Sequence, residues 1–370
     1  MPIYMDNAAS TRVNPKVLAK FNEVAKSLYG NPSSEHTEGT NAYTCIENVK
    51  KDIAHKLNCN ESDIYFTSGA TMSNNILIQG VLRRHPETLF VTSSVEHNDI
   101  MELYDWIPYS KHMVDVDNSG IININDLWNV LIECEKNKKP CLVSIQMANS
   151  ETGIIQPIKQ ISSLVHEYGG YLHVDATQYI PYYNINIDSL GIDALSMSGQ
   201  KIGGIKGSGL LYVRQILADN MTSIIFGEQG LIGGTPATPL IASLGEAFNE
   251  LNYNASHLQD KRDYLLSNLE DMGGVLVGTR NNRLPNNIYI RFPGVKGLSL
   301  MHLLDGYGIY IGTGSACSTD SDKPSHVALA YGLTDEEAFE CVRFTLSDEN
   351  TFEEIDYVVK VLKSILPLLR

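Results

Sequence analysis

Short apolar runs alternate with helical patterns through the first two thirds of the chain. Apolar runs bounded by glycine or small polar residues predict buried strands, and apolar residues at helical spacing predict helices. The predicted strands cover residues 64–67, 88–95, 140–147, 171–174, 194–197 and 210–213. The helices predicted before or between them cover residues 15–29, 40–57, 72–81 and 158–168. This alternation predicts a mainly parallel α/β sheet.

The pattern becomes mixed in the last third of the chain. Helices are predicted over residues 240–251, 253–272, 336–340 and 351–369, and strands over residues 287–291, 309–313 and 342–346. Because 370 residues are too many for one comfortable core, two domains are expected.

The composition is that of an ordinary globular enzyme, with 43% hydrophobic and 19% charged residues. A net charge of -15 argues against a surface for nucleic acid and carries no membrane signal. No apolar stretch approaches the roughly 20 residues that cross a bilayer, and the first ten residues lack the pattern of a secretion signal. We therefore expect a cytoplasmic protein.

The six cysteines indicate neither a zinc site nor a disulfide framework, because none forms a C-x-x-C pair. Cys317 differs from the others because small and polar residues surround it, in the run GTGSACSTDSDK. An accessible thiol in a reducing compartment is a candidate nucleophile. The other five lie in helical or apolar segments, where a packed, inert thiol is expected.

Lys201 follows a predicted buried strand and opens a glycine-rich loop that leads into the next strand. Desolvation at such a place favours a neutral amine or an imine over an ammonium ion, which suits Schiff-base chemistry with an aldehyde cofactor. The alternative is an ordinary hairpin lysine at the surface. Asp175 ends the strand of residues 171–174, and one crossover could bring it beside Lys201. A carboxylate that faces a lysine imine across a ring is the pyridoxal phosphate arrangement.

Other polar side chains also fall at predicted strand ends. Thr71, His97 and Asn149 join Asp175 and Lys201 there, and ligands of parallel sheets bind at the carboxyl ends of the strands. The run IYFTSGATMSNN joins a strand to a helix through small residues, which is typical of an anion site, although a plain capped helix is the alternative. His97 could stack on an aromatic cofactor or be structural. Arg343 could bind a carboxylate or form a structural ion pair.

Nearly the whole chain resembles the cysteine desulfurases of the NifS and IscS type, in the class V aminotransferase group. The matching motifs, in the order of that family, are YMDNAAS, GNPSSEH, FTSGATMSNN, SSVEHND, HVDATQ, SGQK, GGT, TGSACS and VRFTLS. The resemblance implies the aspartate aminotransferase-like fold of pyridoxal-phosphate-dependent transferases. It implies a large, mainly parallel sheet domain of residues 13–252. It also implies a smaller α+β domain of residues 1–12 and 253–370, which carries Cys317.

The resemblance also implies roles for individual residues. Lys201 would carry the cofactor as a Schiff base, His97 would stack on the ring and act in proton transfer, and Cys317 would take the sulfur of L-cysteine as a persulfide. The implied cofactor-binding positions are Ala70, Thr71, His97, Asn149, Ser150, Asp175, Gln178, Ser198, Gln200, Lys201 and Thr235. The implied substrate-binding positions are Arg343, Asn149 and Ser150. Thr235 would reach the phosphate from the second subunit of a homodimer.

The chain departs from the family pattern at three places. Gln200 stands where the family usually has histidine, and Ser150 stands where it usually has a second asparagine. Gln229 and Ile232 stand where arginines normally precede the GGT loop. These changes affect the expected contacts to phosphate and substrate and the docking of the cysteine loop, but they leave Lys201 and Cys317 in place.

Three functions are compatible with these residues. The first is a cysteine desulfurase that passes sulfur to a protein acceptor, such as an iron–sulfur scaffold or a thiolation protein. The second is a related pyridoxal phosphate enzyme that acts on selenocysteine or another amino acid. The third is a degenerate homologue that acts mainly as a partner protein. An intact TGSACS run favours the first.

Overall fold

The structure is a computed structural model, and it describes residues 2–227, 230–314 and 323–370. The helices within these ranges are α1 (Pro15–Ser27), α2 (Thr37–Leu57), α3 (Ala70–Arg84), α4 (Asn98–Trp106), α5 (Ile124–Lys136), α6 (Ile158–Glu167), α7 (Ile187–Leu190), α8 (Gln215–Ala218), α9 (Thr238–Asn249), α10 (Ala255–Asp271), α11 (Gly297–Gly306), α12 (His326–Ala330), α13 (Asp335–Phe339) and α14 (Phe352–Leu369). The strands are β1 (Ile3–Tyr4), β2 (Ile64–Thr67), β3 (Leu89–Ser93), β4 (Lys111–Val114), β5 (Cys141–Gln146), β6 (Tyr171–Asp175), β7 (Ala194–Ser198), β8 (Gly209–Val213), β9 (Val275–Leu276), β10 (Asn287–Arg291), β11 (Ile309–Tyr310) and β12 (Cys341–Thr345).

The largest sheet among the described residues has seven strands in the order β2-β8-β7-β6-β5-β3-β4. Strands β7, β6, β5, β3 and β4 are parallel, whereas β8 runs antiparallel to both of its neighbours. All residues of β5 and β8 are buried, which explains their continuous apolar runs. Because the parallel strands share one direction, their carboxyl ends meet at one edge of the sheet.

Helices cover both faces of this sheet. One apolar core includes Val143, Val174 and Phe248, and a second, on the other face, includes Leu77, Phe90 and Leu142. Neighbouring residues of β5 thus belong to different cores, because successive side chains of a strand point to opposite faces. The sheet is therefore fixed from both sides, and so are the positions at its carboxyl edge.

The C-terminal residues form smaller sheets around another core. Strands β9, β10 and β12 are antiparallel, and β1 pairs in parallel with β11. The core around them includes Leu265, Phe344 and Leu362, together with Ile3 and Met5 from the beginning of the chain. The domain boundaries at residues 12/13 and 252/253 stay a prediction.

The predicted strands of the main sheet are observed with ends shifted by a few residues at most, and the mainly parallel α/β sheet is confirmed. Sequence reasoning missed the strands β4 and β9 and the helices α4, α5, α7, α8, α11 and α12. Strand β4, for example, has no continuous apolar run. The strand predicted over residues 309–313 is only two residues long, and Gly312 instead makes an isolated bridge to Arg343. No helix of the described part of the chain has the length and apolar character to cross a membrane.

Candidate active site

A cavity lies at the carboxyl edge of the main sheet, beside the N-terminal segment of the chain. It brings together most of the positions predicted from the sequence, namely Ala70, Thr71, His97, Ser150, Asp175, Gln178, Ser198, Gln200, Lys201 and Arg343. These residues come from the ends of several strands and from the C-terminal part of the chain. The convergence predicted for the strand ends is therefore observed for Thr71, His97, Asp175 and Lys201.

Asp175 ends β6 and lies at the bottom of the cavity. Its Oδ1 accepts a hydrogen bond of 3.0 Å from the backbone N–H of Thr177, and its Oδ2 accepts one of 3.1 Å from Asn74 Nδ2. Burial raises the pKa of the Asp175 carboxyl, and the negative charge of Asp99 acts in the same direction. Both of these donors are uncharged. A cationic ring N–H would supply a counter-charge.

His97 caps the N-terminus of α4 and pairs with Asp99. The distance from His97 Nδ1 to Asp99 Oδ1 is 2.8 Å. Burial alone would raise the pKa of Asp99. Hydrogen bonds from His97, Thr71 and Asn74, together with the positive charge of His97, instead hold this pKa below its ordinary value. The carboxylate therefore fixes one ring nitrogen of His97 and orients the imidazole at the cavity.

Lys201 ends a short 3-10 turn, Gly199–Lys201, directly after β7. Its Nζ donates hydrogen bonds of 2.6 Å to the carbonyl oxygens of both Ala8 and Ala9. Gln178 Nε2 also donates to the Ala8 carbonyl, at 3.0 Å. The N-terminal segment thus holds two of the predicted cofactor-binding side chains.

The N-terminus of α3 faces the same cavity. Its N-cap is Gly69, which has a φ of 149° and no side chain to cap the helix. Ser198 Oγ accepts a hydrogen bond of 2.8 Å from the backbone N–H of Ala70, and Thr71 and Gln200 lie nearby on the cavity wall. A helix start whose N-cap residue has no side chain, with hydroxyl and amide groups around it, is suited to an anion such as phosphate.

Arg343 approaches the cavity from β12 and is almost fully buried, with 1% of its surface exposed. Its Nη2 donates to Asp6 Oδ1 at 2.7 Å, and its Nη1 donates to the carbonyl oxygen of Ser150 at 3.0 Å. Its Nε has no hydrogen-bond partner among the described residues. A buried guanidinium N–H without a partner is costly, and a substrate carboxylate would satisfy it.

Two of the predicted residues, Asn149 and Thr235, do not line this cavity. Asn149 is buried in its own loop, where its Oδ1 accepts from the backbone N–H groups of Glu151 and Thr152, so its predicted contact to cofactor or substrate stays a prediction. Thr235 is exposed and lines a separate cavity with Ser68 and Met72. Cys317 lies outside the described residues, as does Gln229.

Comparison with known proteins decides the family. The model of the aminotransferase class-V family matches residues 3–358. The chain belongs to the class-V aminotransferase family. Among curated proteins it is 35% identical to cysteine desulfurase IscS of Dictyoglomus turgidum, over all of this chain and 95% of that protein. The chain therefore belongs with the cysteine desulfurases.

Solved structures also resemble the chain over most of its length. A NifS-like protein superposes with a TM-score of 0.90 at 31% identity, over the full length of both chains. A structure titled "SspA in complex with cysteine" superposes with a TM-score of 0.81 at 30% identity, over 93% of this chain and 98% of that one. The predicted family and its transferase fold are thus confirmed.

The cysteine desulfurases of the class-V aminotransferase family depend on pyridoxal phosphate, as predicted. The described residues fit it at both ends. Asp175 is a buried carboxylate whose hydrogen-bond donors Thr177 and Asn74 are uncharged, and the N-cap residue of α3, Gly69, has no side chain. Lys201 lines the same cavity as Asp175 and Ala70. We expect Asp175 to hold the ring nitrogen and the start of α3 to hold the phosphate.

Sequence reasoning missed three residues of this desulfurase site. Asp6 pairs with Arg343, Asp99 pairs with His97, and Asn74 donates to both Asp175 and Asp99. A signal existed for Asn74, because it is a polar residue on the buried face of α3, three positions before the buried Leu77. Asp6 carried no comparable signal, since its partner lies at the other end of the chain.

Proposed function

We propose that this cysteine desulfurase converts L-cysteine to L-alanine and takes the sulfur on the thiol of Cys317 as a persulfide. The C–S bond of cysteine breaks, an S–S bond to Cys317 forms, and a proton replaces sulfur on the substrate carbon, so no external oxidant is needed. The observation that carries the proposal is the buried Arg343, whose Nε lacks a partner and which lies on the same cavity wall as Lys201.

The described residues divide the work on the substrate. Arg343 is proposed to bind the carboxylate of cysteine, and the Ser150 carbonyl and Asp6 hold the guanidinium in place. Lys201 holds and moves the proton at the substrate carbon, and His97 donates or accepts a proton at the leaving sulfur. When bound, pyridoxal phosphate supplies an electron-accepting ring that stabilises the negative charge developing on the substrate carbon.

A homodimer is part of the proposal. Thr235 is exposed in one subunit, and it lines a cavity with Ser68 and Met72, which flank the start of α3. A second copy that seats its 233–235 loop near this helix start would complete the phosphate site. Sedimentation at micromolar concentration should therefore show a dimer, and a monomer that retains the cofactor would contradict this part.

The remaining parts of the proposal are the sulfur acceptor and the location. We propose a protein acceptor, such as an iron–sulfur scaffold or a thiolation protein, because a persulfide on the enzyme must be removed before the next turnover. The five described cysteines are all free, which supports a reducing compartment such as the cytoplasm.

The test measures alanine and sulfide after L-cysteine is added to the purified holoenzyme with a reductant. Both products should form in equal amounts, and Cys317→Ser should form neither while its cofactor absorbance still responds to cysteine. Cys45→Ala is the matched control and should keep its activity, since Cys45 lies in α2. Alanine release by Cys317→Ser at the wild-type rate would rule out the persulfide mechanism.

A further inference from the structure

Glu151 is a buried carboxylate in the loop that follows β5, and the mechanism above leaves it without a role. Only 1% of its surface is exposed. Its backbone N–H donates to Asn149 Oδ1 at 2.9 Å, and its carbonyl accepts from Asn287 Nδ2 at 2.9 Å. These bonds fix the backbone, so the carboxylate points in a defined direction. A buried carboxylate is costly unless it is hydrogen-bonded, and its partners therefore indicate its purpose.

The carboxylate of Glu151 lies beside residues on both sides of residues 315–324, the segment that contains Cys317. After that segment, Ser325 Oγ donates to Glu151 Oε2 at 2.6 Å. Before it, Gly314 lies so close that a Cβ built on it would be 3.4 Å from Glu151 Oε2 and 3.8 Å from Ser325 Cβ. Gly314 and Ser325, on either side of the segment, thus both lie close to Glu151 Oε2.

Ser325 is held in two directions at once. Its hydroxyl donates to Glu151 and also accepts a hydrogen bond of 3.2 Å from the backbone N–H of Ala328, which caps α12. The negative charge of Glu151 also acts on the hydroxyl of Tyr289. Burial raises the pKa of Tyr289, and the charge of Glu151 raises it further. The position of Ser325, just after the segment, is therefore fixed by its hydrogen bond to Glu151.

The same loop is joined to the substrate side of the cavity. Ser150, directly before Glu151, accepts from Arg343 Nη1. The backbones of Arg343 and Gly312 exchange hydrogen bonds of 3.0 and 2.7 Å, two residues before Gly314. Arg343, Ser150 and the base of the Cys317 segment are thus connected through a few short bonds around Glu151.

We infer that Glu151 is a positioning residue for sulfur transfer, which fixes the base of the segment bearing Cys317 relative to the substrate held by Arg343. This inference rests on the proposed function, because it requires Cys317 to receive the sulfur. Glu151 is not among the residues that line the cavity with Lys201 and Arg343. Its loss should leave cysteine binding intact and slow the step in which alanine forms.

The experiment separates these two steps in the holoenzyme. Cysteine binding is followed by titrating the cofactor absorbance, and transfer by alanine formed in a single turnover. Glu151→Ala should keep the half-saturating cysteine concentration within about twofold and slow alanine formation by about tenfold or more, as expected for the loss of a hydrogen bond to a charged group. Glu151→Gln keeps an acceptor oxygen for Ser325 and should recover most of the rate.

Two further variants make the result specific. Ser325→Ala should show the same split, and Glu151→Ala combined with Ser325→Ala should be no slower than the slower single variant, because both remove one contact. Asp193→Asn is the control for burial, since Asp193 is also a buried carboxylate but lies at the start of β7, at the opposite edge of the sheet. It should change neither step.

The outcomes distinguish this inference from the proposed function. If Cys317→Ser forms alanine at the wild-type rate, the proposed function fails and the inference fails with it. If Cys317→Ser is inactive but Glu151→Ala forms alanine at the wild-type rate, the inference alone is overturned. Equal losses in cysteine binding and in transfer would also overturn it, since they indicate a general structural role. Should Glu151→Ala not fold, Ser325→Ala decides by the same criteria.

Discussion

The two sides of the cavity are built in different ways. On the sheet side, Asp175 ends β6 and His97 lies shortly after β3 of the same sheet, and their partners Asn74 and Asp99 lie near the starts of helices α3 and α4. On the junction side, Asp6 and the Ser150 carbonyl hold Arg343, and these three residues come from distant parts of the chain. The sheet side is therefore set by strand register, whereas the junction side exists only when the N-terminal segment and the C-terminal sheet have packed together.

The charges differ in the same way. The sheet side presents two carboxylates, Asp175 and Asp99, which share the amide of Asn74. The junction side presents a guanidinium with one unpartnered N–H. A cationic ring nitrogen suits the first side and a substrate carboxylate suits the second. We therefore expect sheet-side variants to lower kcat and junction-side variants to raise KM for cysteine.

The largest effect is expected at Lys201, which belongs to neither side alone because it follows β7 and bonds to Ala8 and Ala9. Lys201→Ala should abolish both the visible absorbance of the bound cofactor and alanine formation, since the imine can no longer form. Lys136→Ala, at an exposed position of α5, should retain both. Absorbance and activity measured on the same preparations test this, and turnover by Lys201→Ala would refute it.

Asp175→Asn tests the sheet side. An amide cannot keep the ring nitrogen protonated, so kcat should fall by roughly a hundredfold or more while KM changes little. Steady-state kinetics with cofactor in excess give both constants. A variant that raises KM and keeps kcat would contradict the division of the cavity into two sides.

Asp6→Asn tests the junction side and should have a smaller effect. Without the carboxylate at 2.7 Å, Arg343 loses a charge-assisted bond that orients it, and KM for cysteine should rise by about tenfold with kcat nearly unchanged. Glu349→Gln is the control, because Glu349 pairs with Arg12 at the exposed surface and such pairs contribute little. A fall in kcat at unchanged KM would place Asp6 on the sheet side.

The smallest effect on turnover is expected for Glu96→Gln, which acts on stability. Burial raises the pKa of Glu96 from 4.5 to about 8, although hydrogen bonds from Ser93 and the Gln146 backbone oppose this. The folded protein therefore binds a proton between these pH values that the unfolded chain releases. The stabilisation is complete below pH 4.5 and is lost as the pH rises to about 8.

The free energy of unfolding should thus decrease by roughly a few kcal/mol as the pH rises through this range, and Glu96→Gln should remove that decrease. Urea unfolding at several pH values measures it, with Glu349→Gln as a control that keeps the fall. His173, also in the main sheet, acts in the opposite direction, because burial lowers its pKa from 6.5 to about 3. An unchanged pH profile for Glu96→Gln would show that Glu96 is ionised in the folded protein.

The sequence by itself determined six of the seven strands of the main sheet, several of the helices around them and most of the residues at its carboxyl edge. Hydrophobic periodicity is a local property, and in a parallel sheet it also determines which residues end a strand, so Asp175 and Lys201 could be placed together without a structure. The motifs added the family, the cofactor and the importance of Arg343.

Only the tertiary structure decided which groups hold those residues. Asp6 and Arg343 meet across nearly the whole length of the chain, and Ser325 meets Glu151 across a sequence separation of 174 residues. No local period encodes such a pair, because each partner satisfies its own segment's pattern equally well without the other. Their meeting depends on how the N-terminal segment, the loop after β5 and strand β12 pack against one another, and packing is a property of the whole fold.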